Sequence, residues 1–240
     1  MKICQIVDLG LIGYADAYAL QKRVVAARKA GAIEDVVLFC EHPHVITLGR
    51  SGKRENLLAS EHVLKQKGVE FHASDRGGDI TYHGPGQIVG YPILNLGAIR
   101  RDVVWYVRTL EEAMIRATAE FGIISNRVAG KTGIWVGSGG KEEKLAAIGV
   151  HISRWVTSHG FAYNVSTDLR NFELIVPCGI ADCKATSLEK LLGRRVEQKE
   201  VAPRIAKQLG ELFGPEMKET SRRELLEKLQ HLEEAVMVSA

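Results

Sequence analysis

Residues 76–92 read RGGDITYHGPGQIVGYP, a run that sets five glycines among an arginine, an aspartate, a histidine and a glutamine. Glycine has no side chain to hold a ligand off the backbone, and it reaches torsion angles that turn amide N–H groups outward. Such a composition suits the wall of a binding site. The same residues also fit a tight turn ahead of the apolar segment 88–96. The flanking chain separates the two readings.

Upstream, residues 2–9 alternate as a strand does, and residues 15–30 carry apolar side chains at helical spacing until Gly31 ends the helix. Residues 36–40 and 45–48 are short β-branched runs about the turn Glu41-His42-Pro43-His44, and Gly49 and Gly52 loosen the chain after them. Downstream, residues 102–121 form the clearest helix, capped by Asp102 and ended by Gly122. Residues 134–136, 145–152 (LAAIGVHI) and 161–166 (FAYNVS) read as strands of one sheet, the first followed by the loop Gly137-Ser138-Gly139-Gly140. Beyond Leu174-Ile175-Val176 the chain becomes helical and charged, with helices expected over 197–213 and 221–236. The expectation is an α/β fold, a mixed β-sheet flanked by helices. Residues 1–195 carry the chemistry, and a helical portion, 196–240, packs peripherally on the same domain.

A chain of 240 residues, 45% of them hydrophobic, can bury one substantial core. With 25% charged residues and a net charge of +3, nothing demands nucleic acid or a membrane surface. No run approaches the roughly 18 apolar residues that a membrane helix needs. Cys4, Cys40, Cys178 and Cys183 lack the paired spacing of a zinc or dithiol site, and MKICQIVDLG lacks the pattern of an export signal. A reduced, cytoplasmic compartment is expected. His42 and His44 alternate along the chain, but no third ligand stands at a suitable spacing, so no metal is expected. Nor is a cofactor, and no GxxxxGK[ST] phosphate loop is present.

Cys178 has the most chemical potential, because an apolar run delivers it through Pro177 to Gly179 at a strand end. A cysteine beside such a run can equally be a small buried hydrophobe. Proline and glycine break regular structure on both sides, however, and the Gly179 N–H would stand where an oxyanion forms in acyl transfer. Cys183, in a polar stretch, reads as structural. A thiol with a pKa of about 8.5 is only roughly 3% ionised at neutral pH, so a nucleophile needs a cation or base beside it. Lys144, between the glycine-rich loop and LAAIGV, would hold its ammonium at the edge of a sheet, although Lys141, Glu142 and Glu143 also fit a solvated loop. His83 is the second candidate.

As a set, EHPHVITLGR (41–50), RGGDITYHGPGQIVGYPIL (76–94), KLAAIGVHI (144–152), HGFAYNV (159–165) and IVPCGIADCKATSLEKLLG (175–193) resemble the lipoyl(octanoyl) transferase family, which has the biotin and lipoate protein ligase fold. The resemblance implies that Cys178 takes the octanoyl group from octanoyl-acyl carrier protein as an acyl-enzyme. The acceptor is a lysine of a lipoyl domain, in 2-oxoacid dehydrogenase complexes or the glycine cleavage H protein. It implies that Lys144 lowers the pKa of the cysteine and exchanges protons in both half-reactions, ahead of His83. Substrate-binding positions carry over to Arg76, Gly77, Gly78, Asp79, Ile80, Thr81, Tyr82 and His83, to Ala147, Ile148 and Gly149, and to Gly160, Phe161 and Ala162.

Two departures stand out. Lys141 competes with Lys144, although the register of AAIG favours Lys144, and Tyr163 occupies a position where the family is more often aliphatic, which bears on acyl-chain preference. Thioester-to-amide transfer is downhill and needs no ATP. Burying an octanoyl tail at about 0.8 kcal/mol per methylene contributes at most about 5 kcal/mol. The alternatives are an ATP-dependent lipoate or biotin ligase, with no need of Cys178, a non-catalytic acyl-binding relative, and a thiol hydrolase built on Cys178 and His83.

Overall fold

The computed structural model describes residues 2–176 and 184–238. Strand β1 (Ile3–Leu11), helix α1 (Tyr14–Lys29) and strand β2 (Asp35–Glu41) form a parallel crossover unit, with Val7 opposite Leu38. Next come β3 (Val45–Leu48), α2 (Glu61–Lys67), β4 (Glu70–Ala73), β5 (Ile80–His83) and β6 (Gln87–Ile93). Helix α3 (Val103–Ala119) leads into β7 (Asn126–Val128), β8 (Lys131–Val136), β9 (Glu143–Ser153) and β10 (Val156–Asn164). The chain closes with β11 (Lys184–Ala185), α4 (Leu188–Leu192), α5 (Gln198–Phe213), β12 (Glu216–Glu219) and α6 (Arg222–Val238).

Among the described residues, the main sheet runs β12-β1-β2-β6-β10-β9-β8-β7, with β11 on β9, and a small sheet runs β4-β3-β5. The main sheet is parallel about β1 and antiparallel from β2 to β7. The expected mixed, helix-flanked sheet is therefore observed. Helices α3 and α5 cover one face, where Tyr106, Leu110, Met114, Ile205 and Leu209 join Phe39, Leu145 and Tyr163 in the principal core. On the other face, α1 and α6 bring Leu20, Val24, Leu225 and Leu229 against Val7, Leu38 and Tyr91.

Local chemistry explains these helices. Asp102 accepts from the Trp105 N–H at 2.8 Å to start α3, and the buried residues that follow recur every three or four positions. A reciprocal box between Glu197 and Glu200 starts α5. Residues past 195 are more than peripheral: Val201, Ile205, Leu209 and Phe213 lie in the principal core and β12 extends the main sheet. The elements not anticipated from sequence are α2, β4, β5, β7, β11, α4 and β12. Helix α2 carried its signal, the cap Ser60 and the left-handed Gly68.

The opening glycine-rich run resolves into parts of different character. Residues 76–79 form an irregular strap, Ile80–His83 is a strand paired to β3, Gly86 turns the chain at φ +82°, and Gln87–Ile93 is a wholly buried strand at the centre of the main sheet.

Candidate active site

A cavity of about 510 Å³ lies between the strap, β5, β9 and β10. That volume is ordinary for a small-molecule site. Its walls follow from the register: Gly160, Phe161 and Ala162 pair one-to-one with Gly149, Ile148 and Ala147, so the two short sequences singled out on separate strands meet as one surface. All six line the cavity, together with Arg76, Gly77, Gly78, Asp79, Ile80, Thr81, His83 and Lys144. Tyr82 does not. It is fully buried in the core of the small sheet, its hydroxyl 2.6 Å from Nδ1 of His44.

The strap is fastened on both sides. Gly77 donates its N–H to the Val150 carbonyl at 2.9 Å, while Gly49, Arg50 and Ser51 donate to the carbonyls of Asp79, Arg76 and Gly78. Arg76, 8% exposed, spends its guanidinium inward, donating to the Thr47 carbonyl at 2.7 Å, to Thr47 Oγ1 at 2.9 Å and to the Gly77 carbonyl at 3.0 Å. Asp79 accepts from Ile80 N at 2.7 Å and from the Asn56 amide at 2.6 Å. Gly78 has φ +86°, a conformation that favours glycine.

The residues before the strap are held by a network that the sequence did not announce. Tyr14 and Tyr18, one turn apart on α1, donate to Ser74 and Asp75, each at 2.8 Å. His159 approaches the same Asp75 oxygen to 2.7 Å and stacks on Tyr18. His159 adopts φ +55° inside β10, and its backbone N–H donates to the side chain of Gln21. Backbone in this region costs on the order of 1–3 kcal/mol and persists only where its surroundings fix it. Burial pushes the His159 pKa down against the pull of Asp75. For Asp75, burial pushes upward, and the hydrogen bonds from His159 and Tyr18 bring it net below the usual carboxylate range.

His83 is tied to Gln87. The Gln87 amide nitrogen donates to Asn164 at 2.9 Å and to the Tyr82 carbonyl at 3.3 Å, so its oxygen accepts from His83 Nδ1 at 2.7 Å. Burial, with His42 nearby, lowers the His83 pKa to about 3. This imidazole is neutral at physiological pH and is a poor source of the imidazolium that would stabilise a thiolate. His42 and His44 do not converge on a metal: His42 donates to the Ile12 carbonyl at 2.7 Å and meets the Tyr91 hydroxyl at 2.7 Å, whereas His44 meets Tyr82. Tyr163, whose position raised the question of chain preference, is absent from the cavity wall and directs its hydroxyl to Thr118 at 2.9 Å.

Lys144 lies within the sheet rather than at its edge, opposite Trp135 on β8 and Ala185 on β11. It is 9% exposed, with Nζ 4.7 Å from the centre of the Trp135 ring. Lys141 is exposed and takes no part in the wall, whereas Lys131, which sequence reasoning passed over, does. Cys178, Gly179 and Cys183 lie outside the described residues. The chain on either side of them is anchored beside the cavity. Val176 donates its N–H to the Asn56 carbonyl at 2.7 Å, and Thr186 donates to the carbonyl of Lys144 at 2.9 Å.

A family model described as the lipoyl protein ligase A/B catalytic domain matches residues 13–210. The chain is 52% identical over 223 residues to an octanoyltransferase of Acidobacterium capsulatum, covering 88% of this chain and 91% of that one. It is 51% identical over 217 residues to an octanoyltransferase of Solibacter usitatus, covering 90% and 96%. In three dimensions it is similar to a bipartite lipoate protein ligase from Thermoplasma acidophilum, with a TM-score of 0.76 at 16% identity over 97% and 92% of the two chains. A lipoate-protein ligase A bound with ATP gives a TM-score of 0.75 at 16% identity, covering 97% and 94%. At such identities the structural likeness speaks for the fold, the biotin and lipoate protein ligase type.

Proposed function

Because the chain belongs to the lipoyl protein ligase A/B catalytic-domain family, we propose that it is an octanoyltransferase of protein lipoylation in which Cys178 is the nucleophile and Lys144 the proton-transfer group. The observation that carries the reading is the convergence of Lys144 with thirteen of the fourteen substrate-binding positions on one cavity, to which the chain on either side of Cys178 is tied, by Thr186 to Lys144 and by Val176 to Asn56, whose side chain holds Asp79. The chain is an acyltransferase, and the group it moves is octanoyl.

In the first half-reaction the Cys178 thiolate attacks the thioester carbonyl of octanoyl-acyl carrier protein. The carrier thiolate leaves and takes a proton from the Lys144 ammonium. In the second, the neutral amine of the acceptor lysine attacks the acyl-enzyme. Its proton passes to the now neutral Lys144, and Cys178 leaves as thiolate. The cycle returns both residues to their starting forms and consumes no nucleotide. A cation beside the sulfur favours the thiolate, each pKa unit being worth about 1.4 kcal/mol. The acceptors are lipoyl domains of 2-oxoacid dehydrogenase complexes and the glycine cleavage H protein, and the compartment is the cytoplasm.

The test is intact and peptide mass spectrometry of wild type and Cys178→Ser after incubation with octanoyl-acyl carrier protein and no ATP. A hydroxylamine-sensitive octanoyl adduct on Cys178, passed on when apo-lipoyl domain is added, is the expected result. Modification of the lipoyl domain only with free acid and ATP would instead identify a ligase.

A further inference from the structure

Glu111 is out of keeping with its place. It sits on α3 within the principal core and is fully buried, where a leucine would cost nothing in desolvation. Its Oε2 accepts from Arg108 Nη1 at 2.7 Å and from Arg127 Nε at 3.0 Å, two side chains that are 49% and 33% exposed. Its Oε1 accepts from the backbone N–H of Gly133 at 3.0 Å.

That last bond points to a role. Gly133 has φ +116°, and a Cβ built on it would stand 2.4 Å from the Ala146 carbonyl oxygen and 3.5 Å from Cε of Lys144. Here β8 therefore lies against β9 more closely than any side chain allows. Immediately afterwards the register slips: Ile134 pairs with Ala146 but Trp135 pairs with Lys144, which leaves Leu145 without a counterpart. A bulge of this kind re-aims the side chains beside it. Leu145 goes into the core, Lys144 lines the cavity, and the buried Trp135 ring lies beneath its ammonium.

We infer that Glu111 is a positioning residue for Lys144: by holding the Gly133 amide it fixes the bulge that packs the lysine stem against Gly133 and its ammonium over Trp135. The inference rests on the reading of Lys144 as the proton-transfer group.

The experiment compares Glu111→Gln, Glu111→Leu and Lys144→Met with wild type, each checked for folding by thermal unfolding. The readouts are steady-state octanoyl transfer and the pH profile of Cys178 alkylation by iodoacetamide. Glu111→Gln keeps an oxygen for the Gly133 N–H and should stay within about threefold of wild type in kcat, whereas Glu111→Leu should lose about tenfold or more with KM changed less than about twofold. Its alkylation profile should move toward that of Lys144→Met. If Glu111→Leu does not fold, Glu111→Asp, whose carboxylate stops one methylene short of Gly133, carries the same expectation. A folded Glu111→Leu or Glu111→Asp with wild-type kcat and alkylation profile would overturn the inference. Full transfer by Lys144→Met would overturn the reading of Lys144 itself, and the inference with it.

Discussion

The carbonyl oxygen of Gly77 lies so near Gly149 that a Cβ added to Gly149 would stand 2.6 Å from it. The strap and β9 thus form one wall only because position 149 has no side chain. Gly149→Ala should push the strap off the strand and strain the Gly77–Val150 hydrogen bond. A misplacement of about 1 Å in a binding wall can cost about a hundredfold in rate, so a fall in kcat/KM of tenfold or more is expected. Overpacking should also cost about 1–3 kcal/mol of stability. Steady-state octanoyl transfer and urea unfolding of the same variant check both parts, and an alanine protein with wild-type kcat/KM would show that the strap does not shape the site.

The pH dependence of stability has a defined sign. His83 titrates near 3 when folded and near about 6.5 when unfolded, so unfolding takes up a proton between those values. Stability is full above about pH 6.5 and is lost as the pH falls below it, at about 1.4 kcal/mol per pH unit from this group. His42 and His159, whose pKa values burial also lowers, act in the same direction. Unfolding free energies measured by urea from pH 7.5 to 5 should show this slope, and His83→Gln should remove about one proton's share of it. An unchanged slope in that variant would mean that His83 is not buried neutral.

Tyr163 was the residue that set chain preference in question, and its place in the fold answers with packing. Its hydroxyl donates to Thr118, whose own hydroxyl donates to the Met114 carbonyl at 2.7 Å, so both polar groups are satisfied under α3. Tyr163→Phe should cost about 1 kcal/mol of stability. The ratio of rates with hexanoyl, octanoyl and decanoyl donors should stay the same. A shifted chain-length profile would place Tyr163 in contact with the acyl tail.

What was legible in the chain was local. The Asp102 cap and the apolar period of α3 are both contained in its own residues, and the two cavity strands are short apolar runs bounded by polar and glycine residues. The polar strand β12 (EMKE) gave no alternation to read, because its place is decided by pairing with β1, more than 200 residues earlier. Lys144 was the hardest to place. Its neighbours Lys141, Glu142 and Glu143 read as a solvated loop, whereas the side chain packs on Trp135 and near Gly133, whose amide a carboxylate from α3 holds. Those contacts depend on how β8 and β9 register and on where α3 packs, and none has a sequence signature. Tyr82 was grouped with its neighbours because the run was read as one wall; the alternation within β5 turns it into the small core.

The proposed division of labour at Lys144 makes the two half-reactions respond differently to pH once the lysine is gone. Lys144→Met should slow both by about a hundredfold or more at pH 7, the usual worth of a positioned proton donor and acceptor. Acyl-enzyme formation loses the stabilised thiolate and the proton for the carrier sulfur, but a thiolate can leave unprotonated, so this step should recover as the pH passes about 8.5, where an unassisted cysteine ionises. Transfer to the lipoyl domain also needs a deprotonated acceptor amine, so in the variant it should continue to rise toward about pH 10.4. Rapid-quench measurement of acyl-enzyme formation, set beside decay of preformed acyl-enzyme on adding apo-lipoyl domain, separates the two limbs. Parallel recovery of both with pH would mean that Lys144 serves the thiol alone and that another group takes the proton from the amine.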